Sequence, residues 1–409
     1  MIKSTYVKEL SEVESAYYSP YDNEDDNKAL INTPIKEESD QYLKEKKERL
    51  YWIDCLRIFA NILVVFINCT AEDLKPVEFK SSNWYTLFFY NSLSRACVPL
   101  FIMISGILFL DVEKPITIKT LYTKYIFRIF RCLIFWSIYY IFIDKFLINF
   151  NQENYNFDYE TIKDTVVKSI YRNGHLWYLN FIMGIYMVTP IFRGIAYNNK
   201  EIKYIFWLFF TVSSIIPTTY NFFETFFSIK LTIIIDFFNS LRINSARGFA
   251  FYYLWGYLLA YNDNDGKKFK IFSYLIGALG IVLTVFLRIF SSIYLGKENN
   301  FFGEYNCVNV AMTAYGIFIF FKYTINDYIE NFSDDSTIKK CVLSLSNCTL
   351  GIYLIHMTIH HLLYRFAKFD PQSFNPLFCA PLFSVVVYIL SFMIIFVFRK
   401  TVPYFEYIC

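Results

Sequence analysis

From Tyr51 onward the chain is a succession of apolar runs of about 20 residues, the length an α-helix needs to cross a hydrocarbon core of ~30 Å. Inside a bilayer every backbone N–H and C=O must find its partner within the protein, and a helix does this within one segment. The pattern therefore points to an all-α, polytopic membrane fold of about ten transmembrane helices. The ten segments lie near 51–70, 84–110, 125–149, 174–194, 203–219, 246–262, 269–295, 306–325, 341–366 and 377–399. A further stretch, 220–245, is apolar but broken by Glu224, Lys230 and Asp236, and reads as half-inserted. Composition agrees: 55% of residues are hydrophobic and only 18% charged, against ~25% charged in soluble domains. A multidomain soluble enzyme and a fibrous or disordered chain are both excluded. No internal repeat is evident.

Residues 1–48 are polar, with an acidic stretch at Asp22–Asp26 and no apolar core of a signal peptide. They read as a disordered tail, followed by a transmembrane domain over 49–402 and a short tail over 403–409. Lys and Arg in short loops set the orientation. Lys44, Lys46, Lys47 and Arg49 precede the first segment, Lys114, Lys119 and Lys124 follow the second, Lys267, Lys268 and Lys270 follow the sixth, and Lys339 and Lys340 follow the eighth. The alternate loops carry fewer cations, such as Lys75 and Lys80, or Lys297 alone. Both termini are thus expected in the cytoplasm. A net charge of +3 indicates no nucleic-acid partner. Membrane lipid is the expected surroundings. The nine cysteines show no CxxC and no metal-ligand spacing, so no metal site is expected.

Ionisable and amide side chains inside apolar segments are costly and tend to mark function. The first segment carries Arg57, Asn61 and Asn68. At about 100° per residue, Asn61 and Asn68 fall within roughly 40° and 20° of Arg57, which makes one polar stripe rising ~16 Å. Asp54, three residues before Arg57, can pair with it. The second segment carries Arg95 just before Val98-Pro-Leu-Phe-Ile-Met-Ile-Ser-Gly106. The third opens with Lys124, Arg128 and Arg131 on one face, and planar guanidinium groups suit bidentate phosphate binding. Positive-inside anchoring is the alternative for that trio. The four histidines are His175, His356, His360 and His361, all placed by this topology near the level of Asn68. His356 and His360, one turn apart, lack a third ligand for a metal. A structural hydrogen-bonding role is the alternative to acid–base work for His175 and His356. No Ser-His-Asp order, Walker loop or GxGxxG motif occurs.

Four stretches in register carry a resemblance. The Arg57 segment, Val98-Pro-Leu-Phe-Ile-Met-Ile-Ser-Gly106, His175-Leu-Trp-Tyr-Leu179 and Gly351-Ile-Tyr-Leu-Ile-His356 resemble the membrane-bound acyltransferase family 3 in order and spacing, over about 48–400. Within it the chain looks like the branch that O-acetylates surface polysaccharides. The resemblance implies ten core helices in a bacterial plasma membrane. It also implies a cytoplasmic acyl-CoA donor, with acetyl-CoA the default. The acceptor would be a hydroxyl of a cell-surface glycan or lipid-linked glycan. The family's Arg-x-x-Arg is matched by Arg128-Ile-Phe-Arg131. Arg57, Arg128 and Arg131 would hold the phosphates or pantetheine arm, and Arg95 is counted with that set. The thioester would reach the level of residue 68, where a base takes the sugar proton and polar donors stabilise the oxyanion.

The family pattern on the first helix is Arg, ten residues, His; here the last position is Asn68. Asn has no titratable nitrogen and cannot act as a general base. Three readings follow: an inactive chain, a substitute base at His175 or His356, or Asn68 used for positioning alone. The substitute base is favoured. A polysaccharide or small-molecule transporter is the reading from another class. The absence of repeats, with only 13 Gly and 11 Pro, argues against it.

Overall fold

The computed structural model describes residues 49–143, 174–241, 248–261, 264–403, 405 and 408–409; the expected 1–48 tail lies outside them. In chain order the helices are α1 (Tyr51–Leu74), α2 (Ser82–Leu93), α3 (Cys97–Phe109), α4 (Ile118–Ile143), α5 (Trp177–Ala196), α6 (Asn199–Phe227), α7 (Thr232–Ser240), α8 (Ala250–Ala260), α9 (Lys267–Leu295), α10 (Phe301–Glu330), α11 (Thr337–Ala367) and α12 (Pro376–Thr401). Among the described residues there is no strand, and nine helices are long and apolar enough to cross a membrane, the α2–α3 pair counting as one. The all-α polytopic fold stands.

The sixth apolar segment differs from expectation. Its described helix, α8, has eleven residues and a length of ~17 Å, about half a hydrocarbon core. It lies inside the protein: Phe251, Tyr252, Tyr253 and Leu254 are all fully buried. Apolar character here comes from burial against protein, which a hydropathy window cannot tell from burial in lipid. The broken stretch 220–245 divides between the end of α6 and the short α7, with Ser228 in the left-handed conformation closing α6.

Two proline effects shape the spans. The run 84–110 breaks at residues 94–96 into α2 and α3. Pro99 sits in the first turn of α3, where its missing N–H is tolerated and its ring discourages a continuous helix through residue 95. In α6, a π-helical turn at Thr211–Ile215 precedes Pro217 and absorbs the disrupted hydrogen bonding.

The most buried spans are α2–α3, α11, α1 and α10; α6 and α12 expose more of their apolar surface. Close backbone approach needs glycine. A Cβ at Gly106 would run into the Tyr253 carbonyl, and one at Gly256 into the Met103 backbone, so α8 lies directly on α3. Gly277 and Gly316 do the same for α9 and α10. At the end of the chain, Phe405 and Cys409 are buried, and Trp136 Nε1 on α4 donates to the Ile408 carbonyl (2.8 Å).

Gly256→Ala should destabilise the protein by about 1–3 kcal/mol, the usual cost of overpacking a close contact. Gly184→Ala, where nothing lies within 4 Å of the added carbon, should not. Thermal melting of the two variants in detergent checks the contrast.

Candidate functional site

One cavity of about 410 Å³ runs between α1, α3, α4, α5 and α11. Its walls include Arg57, Asn68, Arg128, His175 and Arg399. The volume falls in the range of small-molecule sites, and most of the wall is apolar or aromatic with few polar groups.

The arginine end is built first by α1. Arg57 Nη1 donates to Asp54 Oδ1 (3.3 Å) on its own helix and to Ser346 Oγ (3.1 Å) on α11. Ser346 Oγ in turn donates to the same Asp54 oxygen (2.5 Å). One turn on, Asn61 Nδ2 donates to the Thr349 carbonyl (3.1 Å). The polar stripe on α1 thus fastens to α11, and Asp54 is almost wholly buried. Arg128, on α4, donates to the Cys409 carbonyl (2.7 Å). Arg399, on the last turn of α12, lies beside the Cys409 sulfur. Burial pushes the Cys409 thiol up, so it sits there as an apolar neighbour and not as a thiolate. Three guanidinium groups from three helices therefore gather at one end of the cavity.

The other end lies about eleven residues, or ~16 Å, further along α1. Asn68 gives one amide hydrogen to the Val64 carbonyl (2.8 Å), which leaves a second N–H for a ligand. His175, in the turn before α5, lines the wall. Its Nε2 is buried without a partner among the described residues, and the Leu354 carbonyl acts on the ring electrostatically. Tyr140 packs edge-on against it (4.9 Å between centroids), and the Tyr353 hydroxyl donates to the His175 carbonyl. His356 is not part of the wall. It is fully buried behind His175, 5.1 Å between ring centroids, with Nδ1 on the Tyr353 carbonyl (2.7 Å).

Of the residues singled out in the sequence, the cavity brings together Arg57, Arg128, Asn68 and His175. Arg131 is not in its wall; its guanidinium stacks over the Phe127 ring at 5.0 Å. Arg95 also stands apart from the Arg57 group. It donates to Asn91 Oδ1, and Asn91 Nδ2 lies 3.3 Å from the Ile67 carbonyl and from Thr70 Oγ1. Arg95 is therefore at the level of Asn68. Arg95 sits in the turn between α2 and α3, four residues before Pro99.

Sequence reasoning missed several groups. Arg399 looks like any cation at a helix end. Arg288, in the middle of α9, did carry a signal, being an ionisable residue within an apolar run. It is fully buried, donates to Asn91 Oδ1 (3.1 Å), Ser92 Oγ (2.6 Å) and Asn300 Oδ1 (2.6 Å), and lies 4.0 Å from the Phe88 centroid. His360 pairs with Asp73 (2.9 Å), a buried contact that spacing along one helix cannot reveal. Among the described residues no group of three metal-ligating side chains occurs.

These features define a multi-pass membrane protein with a cationic pole and an imidazole pole joined by one internal cavity. The acyltransferase domain family matches residues 50–399, and the chain belongs to it: this is a membrane acyltransferase of family 3. No curated protein and no solved structure gives a match.

Arg288→Met should remove the guanidinium donor from buried Ser92 Oγ and one of the two donors from buried Asn91 Oδ1, at about 1–3 kcal/mol for a buried group left unpaired. A fall in melting temperature larger than that of a surface Lys→Met control checks it.

Proposed function

We propose that the protein transfers an acyl group, acetyl by default, from cytoplasmic acyl-CoA to a hydroxyl of a cell-surface or exported polysaccharide, or of its lipid-linked precursor, in the plasma membrane. The observation that carries this reading is the single cavity linking three guanidinium groups to His175 and Asn68.

Arg57, Arg128 and Arg399 supply charge-assisted donors for the phosphates of the nucleotide end. Arg57 is held for that task by Asp54 and Ser346. The apolar wall that α3 contributes, with Val98, Ile104 and Leu108, accommodates the pantetheine arm. At the imidazole end, His175 Nε2 takes the proton of the acceptor hydroxyl as its oxygen attacks the thioester carbonyl carbon. The second Asn68 N–H donates to the carbonyl oxygen as negative charge develops there. The C–S bond then breaks, and the thiolate recovers the proton from the His175 imidazolium. The sum is an ester and a free CoA thiol. His356 packs behind His175 and orients it without touching substrate.

In purified protein in liposomes, His175→Ala should lower kcat for acetyl transfer or acetyl-CoA hydrolysis by ~10²–10⁴, the usual worth of a general base. Arg57→Ala should weaken acetyl-CoA binding. Asn68→His should not raise the rate. A gain above tenfold would instead show that residue 68 is the vacant base position. Bound acetyl-CoA without turnover on any glycan would select the silent reading, which Asn68 favours.

Orientation has its own test. Cys341, near the start of α11, is the exposed cysteine of the nine. A membrane-impermeant maleimide should label it in inside-out vesicles and leave it unlabelled in intact cells. Labelling in intact cells would place the arginine end outside.

A further inference from the structure

The matched acyltransferase domain ends at residue 399, but the chain after α12 returns to the arginine end of the cavity. Phe405 packs edge-on against Phe398 of α12, with 5.4 Å between ring centroids. Two backbone carbonyls then meet α4. That of Ile408 accepts from Trp136 Nε1 (2.8 Å), and that of Cys409 accepts from Arg128 Nη2 (2.7 Å). The Cys409 sulfur lies 4.0 Å from Arg399 Nη1 on α12. Trp136, Phe405 and Cys409 are all buried, so these contacts are part of the packed interior.

The side from which they act decides what they can do. Arg128 and Arg399 line the cavity, whereas Trp136, Phe405, Ile408 and Cys409 do not. The segment therefore stands behind the two guanidinium groups and leaves their cavity side open. A carbonyl takes one of the five N–H groups of an arginine and orients it without neutralising its charge. A long side chain already held in this way loses less rotamer freedom when an anion binds. Asp54 and Ser346 hold Arg57 on α1. Cys409 stands in the corresponding place for Arg128 and Arg399, on two other helices.

We infer that Phe405, Ile408 and Cys409 form a positioning element of the donor site, which sets Arg128 and Arg399 for the phosphates of the nucleotide end. The inference rests on the reading of the arginine end as the acyl-CoA phosphate site. It adds a part that lies outside the matched acyltransferase domain. Because the hydrogen bonds come from the main chain, the element works through its docking on Trp136 and Phe398.

The test uses the protein in lipid nanodiscs and calorimetric titration with acetyl-CoA and with S-acetylpantetheine, which carries the same thioester and arm without the nucleotide phosphates. Deleting residues 403–409 should weaken acetyl-CoA binding by about tenfold or more, the worth of a charge-assisted hydrogen bond. Trp136→Phe keeps a ring in place but cannot donate to the Ile408 carbonyl, and should weaken it by about threefold or more. It carries the test if the deletion does not fold. Neither change should alter S-acetylpantetheine affinity, which a general loss of structure would lower. Unchanged acetyl-CoA affinity in both variants, an equal loss for the two donors, or tighter acetyl-CoA binding after the deletion overturns the inference. Arg57→Ala tests the donor reading separately. Acetyl-CoA affinity that depends on Arg57 but not on the segment overturns the positioning element alone, and no acetyl-CoA binding by the unaltered protein overturns both.

Discussion

Holding a guanidinium inside a membrane-embedded protein is costly unless its charge and hydrogen bonds are met, and the Asp54–Arg57–Ser346 clasp meets them. A single buried carboxylate serves both the Arg57 guanidinium and the Ser346 hydroxyl. The clasp does two jobs at once. It ties α1 to α11, the two helices that carry Asn68 and Tyr353 to the other end of the cavity. It also holds Arg57 in the cavity wall. With the Asn61 bond to the Thr349 carbonyl one turn on, it sets the register of α1 against α11 and so aligns the two ends of the cavity.

That alignment gives the cavity its polarity. Cationic groups that arrive from α1, α4 and α12 converge at one end. Among the described histidines only His175 lies in the wall; it comes from a turn and is packed by Tyr140 and His356. Asn68 replaces a titratable side chain by an amide that is already half committed to its own helix. In the proposed function this divides the work: the amide receives developing negative charge and the neighbouring imidazole moves the proton.

Much of this was legible in the sequence, because bilayer thickness and helical periodicity are strong constraints. Apolar runs gave the helices, and the spacing of Arg57, Asn61 and Asn68 gave the face that meets α11. The features that spacing does not reveal have physical causes. The 246–262 run was read as a span because burial by protein and burial by lipid look alike in composition, whereas α8 is a half-length helix lodged against α3 through Gly106 and Gly256. Arg95 stands at the level of Asn68 because Asn91, which accepts its hydrogen bond, packs on α1 beside Ile67 and Thr70, a contact that spacing along one helix cannot reveal. Arg131 shares a helical face with Arg128 but turns to Phe127 instead. The His360–Asp73 and Arg288–Asn300 contacts join positions that only the tertiary fold brings together, as does the approach of Cys409 to Arg128.

The most direct test of the account is a structure of the protein with a non-hydrolysable acetyl-CoA analogue. The account predicts phosphate oxygens within hydrogen-bonding distance of Arg57, Arg128 and Arg399, and the acyl carbonyl between Asn68 and His175. An analogue whose phosphates sit on Arg95 and Arg288, or whose acyl group lies outside the cavity, would contradict it.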